Sequence, residues 1–412
     1  MRSPRPPPLL WMMHCAGPAP ALLAAACLVS YSVYRLTRQP TTPSPTSTRI
    51  TPTANPSAAG PNKDGGRGTA GGGGGAEPRD DAYPPDAFPG ARDVETSYGN
   101  IKVYEWGLED GDKVLLVHGM STPCLVLGDM AWELVRRGCR VMLYDIFGKG
   151  HSGAPADLPF DERLYNTQIL HVLASSDLCW TGAAAFHIMG YSLGGAIATA
   201  FAAYHHPMLR SVTCVCPSGI MRSFDLIFEE RLVVDWAGWV PERLLAAVLR
   251  PALEPTPPPP SSELPPVANP GEDLEWDLVP CSVDQAFPLV RDVLRWQLDN
   301  NEAYVSTYMS TLRHSPLSGE HQKSWKLLGD RMAANRVRGK GLQKLCLILG
   351  DRDVLLPPKE CVQDAHEIFG EDGVEVHLIE GNHSIALTDG RRVAELALRS
   401  GRGGGVEGPN GE

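Results

Sequence analysis

The chain has 412 residues, of which 37 are Lys or Arg and 48 are Asp or Glu, so its net charge is −11. The acidic excess lies in the part with ordinary globular composition, because no Asp or Glu precedes Asp64. No basic patch with interleaved aromatic residues stands out there, which argues against nucleic acid as a partner. The ten cysteines form no CxxC pair and no Cys/His cluster with zinc-ligand spacing. We therefore expect buried thiols, with no disulfide framework, metal or cofactor.

The N-terminal part divides into two segments of different composition. Residues 1–38 carry arginines and no acid, and residues 19–34 are almost continuously apolar or small. A membrane anchor is the favoured interpretation, with a mitochondrial presequence or a secretory signal as the alternatives. Residues 39–92, which include five consecutive glycines at 71–75, are typical of a disordered linker. Residues 401–412 predict a similar tail.

The order of elements after residue 92 predicts a parallel sheet covered by helices. Residues 98–106 indicate two short strands around a Gly-Asn turn. The apolar runs that predict buried strands are 114–117, 140–145, 185–190, 211–216, 345–349 and 374–379. Helical stretches are predicted over residues 127–137, 164–173 and 194–203. Strands that alternate with helices are typical of an α/β domain with helices on both faces.

The alternation of strands and helices stops between Cys216 and Leu345. This stretch holds five tryptophans, helical pieces such as residues 283–298, and a proline run at 257–260. We expect an inserted helical cap over about residues 218–340, with one disordered loop near residues 251–270.

Ser192 is the candidate nucleophile, at the centre of the Gly-Tyr-Ser-Leu-Gly sequence at 190–194. A strand is predicted before it and a helix of small residues after it. This context is typical of a nucleophile elbow, in which a sharp turn exposes the serine hydroxyl. A serine needs a base, a carboxylate that orients the base, and backbone donors for the developing oxyanion.

The candidate base is His383, which follows the last predicted strand and therefore lies at the carboxyl edge of the sheet. Two aspartates, Asp351 and Asp353, follow the strand before it, and either could reach this edge. The oxyanion donors are expected to be the backbone N–H groups of Leu193, directly after the serine, and of Met120. Met120 follows the strand that ends in His118-Gly119, and His118 itself is interpreted as organising this loop.

Several further motifs accompany the elbow. They are His118-Gly119, Asp145 with Gly148-x-Gly150-x-Ser152, Gly350-x-x-Asp353 with Pro357, and Gly381-Asn382-His383. With these motifs, residues 93–400 resemble the α/β-hydrolase superfamily, and in particular its capped esterases, haloperoxidase-like enzymes and carbon–carbon bond hydrolases. The resemblance implies the α/β-hydrolase fold and the chain order nucleophile, acid, histidine. In capped members the acid is commonly the third residue after the glycine, which selects Asp353 over Asp351. Epoxide hydrolases and haloalkane dehalogenases place an aspartate at the elbow, so Ser192 argues against them.

The resemblance implies a serine hydrolase that cleaves an ester or a related acyl bond of a substrate with an apolar portion. The bond could be an ester, thioester or amide, and ring-fission diketones are further candidates. Two alternatives are a non-catalytic binding protein with the same fold and an interaction protein tethered to a membrane through residues 19–34. The presence of all three catalytic residue types favours the enzyme over the non-catalytic binding protein.

Overall fold

The computed structural model describes residues 82–221, 250, 253–255, 276–283, 287–317 and 322–402. The predicted anchor, most of the predicted linker, residues 403–412 of the tail and the proline-rich part of the cap lie outside these ranges. Among the described helices, none is both long enough and apolar enough to cross a bilayer.

Eight strands form one sheet, in the spatial order β1-β2-β4-β3-β5-β6-β7-β8. Their bounds are β1 Arg92–Thr96, β2 Gly99–Gly107, β3 Lys113–Val117, β4 Arg140–Tyr144, β5 Phe186–Tyr191, β6 Leu209–Val215, β7 Leu345–Gly350 and β8 Val374–Ile379. β1, β2 and β4 pair antiparallel, whereas every pair from β4 to β8 is parallel. Their carboxyl ends therefore meet at one edge of the sheet, where the candidate site residues follow the strands.

The central strands are continuously apolar because helices cover both faces of the sheet. Leu115 and Leu116, neighbours in β3 that point to opposite faces, are both fully buried. The helices are α1 Gly128–Arg136, α2 Glu162–Ala174, α3 Leu193–His205, α4 Val290–Asn300, α5 Tyr304–His314, α6 Lys323–Arg338, α7 Pro358–Phe369, α8 Ile385–Thr388 and α9 Gly390–Gly401. α1 packs against α9 in one helical layer, and α2, α3, α6 and α7 pack in sequence in another. This arrangement confirms the predicted fold class.

The first hairpin turns earlier than the sequence predicts. Thr96 pairs with Gly99, so the turn lies at residues 97–98, and the Gly-Asn pair begins β2 instead of forming the turn. The Thr96 hydroxyl accepts from Tyr98 N at 3.1 Å and donates to Gly99 O at 2.7 Å, and these bonds stabilise the early turn.

The folded domain begins before residue 93, inside the segment predicted as linker. Tyr83 and Phe88 are buried in the core. The Phe88 ring stacks on Trp106 with 5.4 Å between ring centroids. Burial of these two large aromatic side chains offsets the entropic cost of ordering this stretch. The linker prediction therefore differs from the structure over residues 82–92.

The described part of the cap is smaller than the range predicted for it. The described residues 276–317 include α4 and α5, which lie over the loops at the carboxyl edge of the sheet. α6, which the prediction also assigned to the cap, packs against α3 and α7 in the helical layer. The predicted helix at 283–298 begins only at Val290, because Pro280 and Leu289 first form an antiparallel bridge.

Candidate active site

Ser192 lies between the last residue of β5 and the first residue of α3, with φ 55° and ψ −119°. A positive φ is costly for a residue with a Cβ, so the surrounding bonds must hold the turn. Ser192 N donates to Val215 O at 2.9 Å, and Ser192 O accepts from Gly195 N at 2.9 Å and Ser218 N at 3.1 Å. The turn is thus anchored to the neighbouring strand β6 and to the residues that follow it.

The glycines on either side of Ser192 are required by close backbone contacts. A Cβ on Gly190 would lie 2.0 Å from Gly194 O, and a Cβ on Gly194 would lie 2.1 Å from Val117 O. Both distances are far below van der Waals contact. The Gly-x-Ser-x-Gly pattern therefore reflects how tightly β5, α3 and β3 approach one another around the serine.

His383 lies on the loop between β8 and α8, with its imidazole between Ser192 and Asp353. Nε2 is 3.1 Å from Ser192 Oγ, and Nδ1 is 2.8 Å from Asp353 Oδ2. The Tyr191 hydroxyl donates to His383 O at 3.1 Å, and the two rings lie 5.5 Å apart. Tyr191, directly before the serine, therefore helps to place the histidine.

Asp353 is buried, and its two carboxylate oxygens have different partners. Oδ1 accepts from Leu355 N and Leu356 N, both at 2.9 Å. Oδ2 faces the imidazole. Because a carboxylate only accepts hydrogen bonds, Nδ1 of His383 is the donor, and Nε2 can then accept from the Ser192 hydroxyl. This is the tautomer that a general base needs.

Asp351, the alternative acid, has a different partner. Its Oδ1 accepts from Gly381 N at 2.9 Å, and its side chain is 46% exposed beside Arg352. Asp351 thus ties the loop after β7 to the loop after β8. Of the two aspartates, it is Asp353 that contacts His383.

The loop after β3 passes close to Ser192. A Cβ on Gly119 would lie 3.3 Å from Ser192 Cβ. Met120 follows on this loop, and Leu193 is the first residue of α3, where a backbone N–H has no partner within the helix. His118 is buried, with Nδ1 donating to Gly119 O and Nε2 accepting from Ile146 N, both at 2.8 Å. Burial lowers the pKa of His118 to about 4, so the ring is neutral and ties two loops together.

Asp145 and Tyr83 form a second buried cluster at the same edge, and no role is predicted for Tyr83 from sequence. The Tyr83 hydroxyl lies 3.1 and 3.0 Å from the two Asp145 oxygens. Asp145 also accepts from Cys124 N and His151 N, both at 2.9 Å. The sequence signal for Tyr83 is weak, since it is an isolated aromatic residue at the end of a Pro/Gly-rich segment.

Cys216 is the other residue at the site that sequence reasoning did not single out. Its Sγ and the side-chain ligand atoms of Asp353 and His383 lie within 4.8 Å of one another. Within the described ranges, these three residues form the group whose side-chain atoms are close enough together to bind one metal ion. However, burial raises the pKa of Cys216 well above its usual value, and a thiol must lose its proton before it binds a metal. The donor set therefore fits proton transfer better than metal binding. The position of Cys216 directly after β6 is the signal that could have identified it.

The comparisons with known proteins agree with the observed fold. The family described as alpha/beta hydrolase fold matches residues 112–389, well over half of the chain. The chain belongs to this family.

Two curated relatives come from Xenopus laevis. Monoacylglycerol lipase abhd6-B is 23% identical over 314 residues, covering 73% of this chain and 79% of that protein. Monoacylglycerol lipase abhd6-A is 25% identical over 313 residues, with the same coverage.

Two solved structures share the fold. A bacterial membrane phospholipase A is 18% identical with a TM-score of 0.51, covering 77% of this chain and 88% of that one. The carboxylesterase CesB from Bacillus subtilis is 14% identical with a TM-score of 0.51, covering 77% of this chain and 92% of that one.

Proposed function

We propose that this protein is a serine hydrolase that cleaves carboxylic ester bonds through an acyl-enzyme, with Ser192, His383 and Asp353 as the catalytic triad. The observation that carries the proposal is the continuous hydrogen-bonded chain from Ser192 Oγ to His383 Nε2, at 3.1 Å, and from His383 Nδ1 to Asp353 Oδ2, at 2.8 Å. The names of the curated relatives, which are monoacylglycerol lipases, support the choice of an ester bond.

In the proposed mechanism, His383 Nε2 takes the proton of the Ser192 hydroxyl as Oγ attacks the ester carbonyl. The buried Asp353 carboxylate keeps the Nδ1 proton in place and stabilises the imidazolium that forms. The imidazolium then protonates the alcohol oxygen as the carbon–oxygen bond breaks. A water molecule, activated by His383 in the same way, releases the acyl group as a carboxylic acid and restores Ser192.

The negative charge that develops on the carbonyl oxygen needs donors in place before the reaction. We assign this role to the backbone N–H groups of Leu193 and Met120. Leu193 begins α3, so its N–H group and the positive end of the helix dipole both favour an oxyanion. Met120 lies on the loop whose Gly119 approaches Ser192.

The substrate that fits best is a small lipid-like ester, such as a glycerol ester of a fatty acid. The curated relatives are named monoacylglycerol lipases, and the proposal carries that substrate class to this chain. An apolar acyl chain also matches a site next to a helical cap.

The direct test is the Ser192→Ala variant, assayed with a short p-nitrophenyl ester and with a monoacylglycerol. We expect kcat/KM to fall by about 10³-fold or more on both, because the variant lacks the attacking oxygen. Circular dichroism and thermal unfolding of the same variant serve as the folding control.

A fluorophosphonate probe separates this proposal from the alternative of a non-catalytic binding protein. Wild type should be labelled at Ser192 and the Ser192→Ala variant should not. Full ester turnover by the variant, or an unlabelled wild-type protein, would overturn the proposal.

A further inference from the structure

Two side chains from the cap converge on one backbone carbonyl of the loop after β3. Gln297 Nε2, on α4, donates to Ser121 O at 2.8 Å, and the Tyr304 hydroxyl, at the start of α5, donates to the same oxygen at 2.9 Å. Ser121 directly follows Met120, whose N–H group is one of the two oxyanion donors assigned above. The cap is thus bonded to the loop on which the proposed chemistry depends.

The orientation of the Gln297 amide is determined by both of its ends. Its Oε1 accepts from Gly150 N at 2.8 Å, while its Nε2 donates to Ser121 O. A backbone N–H can only donate and a carbonyl can only accept, so the opposite orientation would break both bonds. Gln297 is fully buried. It therefore links the turn after β4 to the loop after β3 with a fixed spacing.

The Tyr304 ring is restrained from the side by a buried lysine. Lys149 Nζ lies 4.8 Å from the centroid of the Tyr304 ring, and it donates to Thr307 Oγ1 at 3.3 Å. Lys149 is only 1% exposed. Burial lowers the pKa of Lys149 to about 7, so below this pH the ammonium over the ring face adds a directional contact that limits rotation of the tyrosine and holds its hydroxyl toward Ser121.

We propose that Gln297 and Tyr304 are positioning residues for the ester cleavage proposed above, on which this inference rests. By holding Ser121 O from two directions, they keep the N–H group of Met120 aimed at the oxyanion. A donor that stays in place needs no reorganisation in the transition state, which is the condition for strong electrostatic stabilisation. The cap then contributes to the rate of the chemical step as well as to substrate binding.

The test compares the variants Tyr304→Phe and Gln297→Leu with wild type in the full chain. We expect each to lower kcat about 10-fold while KM stays within about twofold, less than the 10²–10³-fold typical for loss of a direct oxyanion donor. The second measurement is inhibition by an alkyl trifluoromethyl ketone, which forms a tetrahedral adduct on a catalytic serine. Its affinity should fall by about the same factor as kcat.

Tyr165→Phe is the matched control, because it removes a different tyrosine hydroxyl that also links the cap to the core. The Tyr165 hydroxyl lies 2.8 Å from Ser315 Oγ and 3.2 Å from Thr311 Oγ1, at the other end of α5. This variant should lose stability but keep kcat and the affinity for the ketone.

If wild type shows turnover that depends on Ser192, three results would overturn the inference. One is unchanged kcat in both Tyr304→Phe and Gln297→Leu. Another is a fall in kcat without a fall in ketone affinity, and the last is an equal fall in Tyr165→Phe. Absence of Ser192-dependent turnover in wild type would instead contradict the proposed function itself.

Discussion

Two buried aspartates lie at the same edge of the sheet, and their surroundings differ in one decisive respect. Asp145, after β4, accepts hydrogen bonds from the Tyr83 hydroxyl and from the backbone N–H groups of Cys124 and His151. Asp353, after β7, accepts hydrogen bonds from two backbone N–H groups on one oxygen and from the His383 imidazole on the other. Both side chains are almost fully buried.

Burial at this edge of the sheet therefore does not by itself identify the proposed catalytic acid. Every partner of Asp145 in this cluster belongs to a loop or to the N-terminal segment, so its carboxylate joins pieces of the chain. Asp353 has one oxygen on a group that can exchange a proton with Ser192. The partners of the two aspartates, and not their positions after the strands, separate the structural role of Asp145 from the catalytic role proposed for Asp353.

Within this comparison, the largest expected effect comes from Asp353→Asn, which places an amide beside Nδ1. The imidazole can then take the wrong tautomer, with its proton on Nε2, where it cannot accept from Ser192. We expect kcat to fall about 10³–10⁴-fold with a small change in stability. Steady-state kinetics on a p-nitrophenyl ester measure the effect.

Asp351→Asn is the matched control for Asp353→Asn, two residues away on the same loop. Its carboxylate meets Gly381 N and not His383, so kcat should change less than about threefold. If the two variants exchange these outcomes, Asp353 is not the catalytic acid and the comparison of the two buried aspartates fails.

Asp145→Asn should act on stability more than on chemistry. An amide can accept on one side only, so its N–H₂ group would face a backbone N–H group from Cys124 or His151. We expect the free energy of unfolding to fall by about 3 kcal/mol, as measured by urea denaturation. Tyr83→Phe, which removes a single donor, should cost about 1 kcal/mol. A loss of activity in Asp145→Asn at full stability would contradict the structural role.

A further expected effect is a pH dependence of stability carried by His118, on the structural side of the comparison. Burial holds its pKa near 4 in the folded chain, against 6.5 for an unperturbed histidine. As the pH falls from 6.5 toward 4, the unfolded chain therefore binds a proton at this histidine that the folded chain does not bind. The free energy of unfolding decreases for this reason. The loss should reach about 1.5 kcal/mol between pH 6.5 and pH 5.

His118→Gln should flatten this pH dependence by the same amount, measured from urea midpoints at the two pH values. His187, whose pKa burial also lowers to about 4, is present in both proteins and cancels in the difference. An unchanged slope in His118→Gln would mean that His118 is not buried in its neutral form.

The central strands could be predicted from sequence because burial on both faces leaves only apolar residues in them. β8 is predicted at the same residues as observed, and β3 and β7 differ by one residue. The first hairpin and the start of the domain were less predictable. The hydroxyl of Thr96 stabilises a turn that lies earlier than the common Gly-Asn turn, and Tyr83 is buried in the core with its hydroxyl on Asp145, 62 residues away in the chain.

The sequence by itself determined the order of the strands along the chain, the turn around Ser192, and the two loops that carry the proposed acid and base. These features depend on contacts between residues that are close in the chain, so they leave a local pattern. The choice of Asp353 over Asp351 needed the resemblance to a family, and its contact with His383 appears only in the folded chain. The bonds of Tyr83 to Asp145, and of Gln297 and Tyr304 to Ser121, were decided by tertiary structure alone. They join residues far apart in sequence, and no spacing along the chain reports which donor will meet which acceptor.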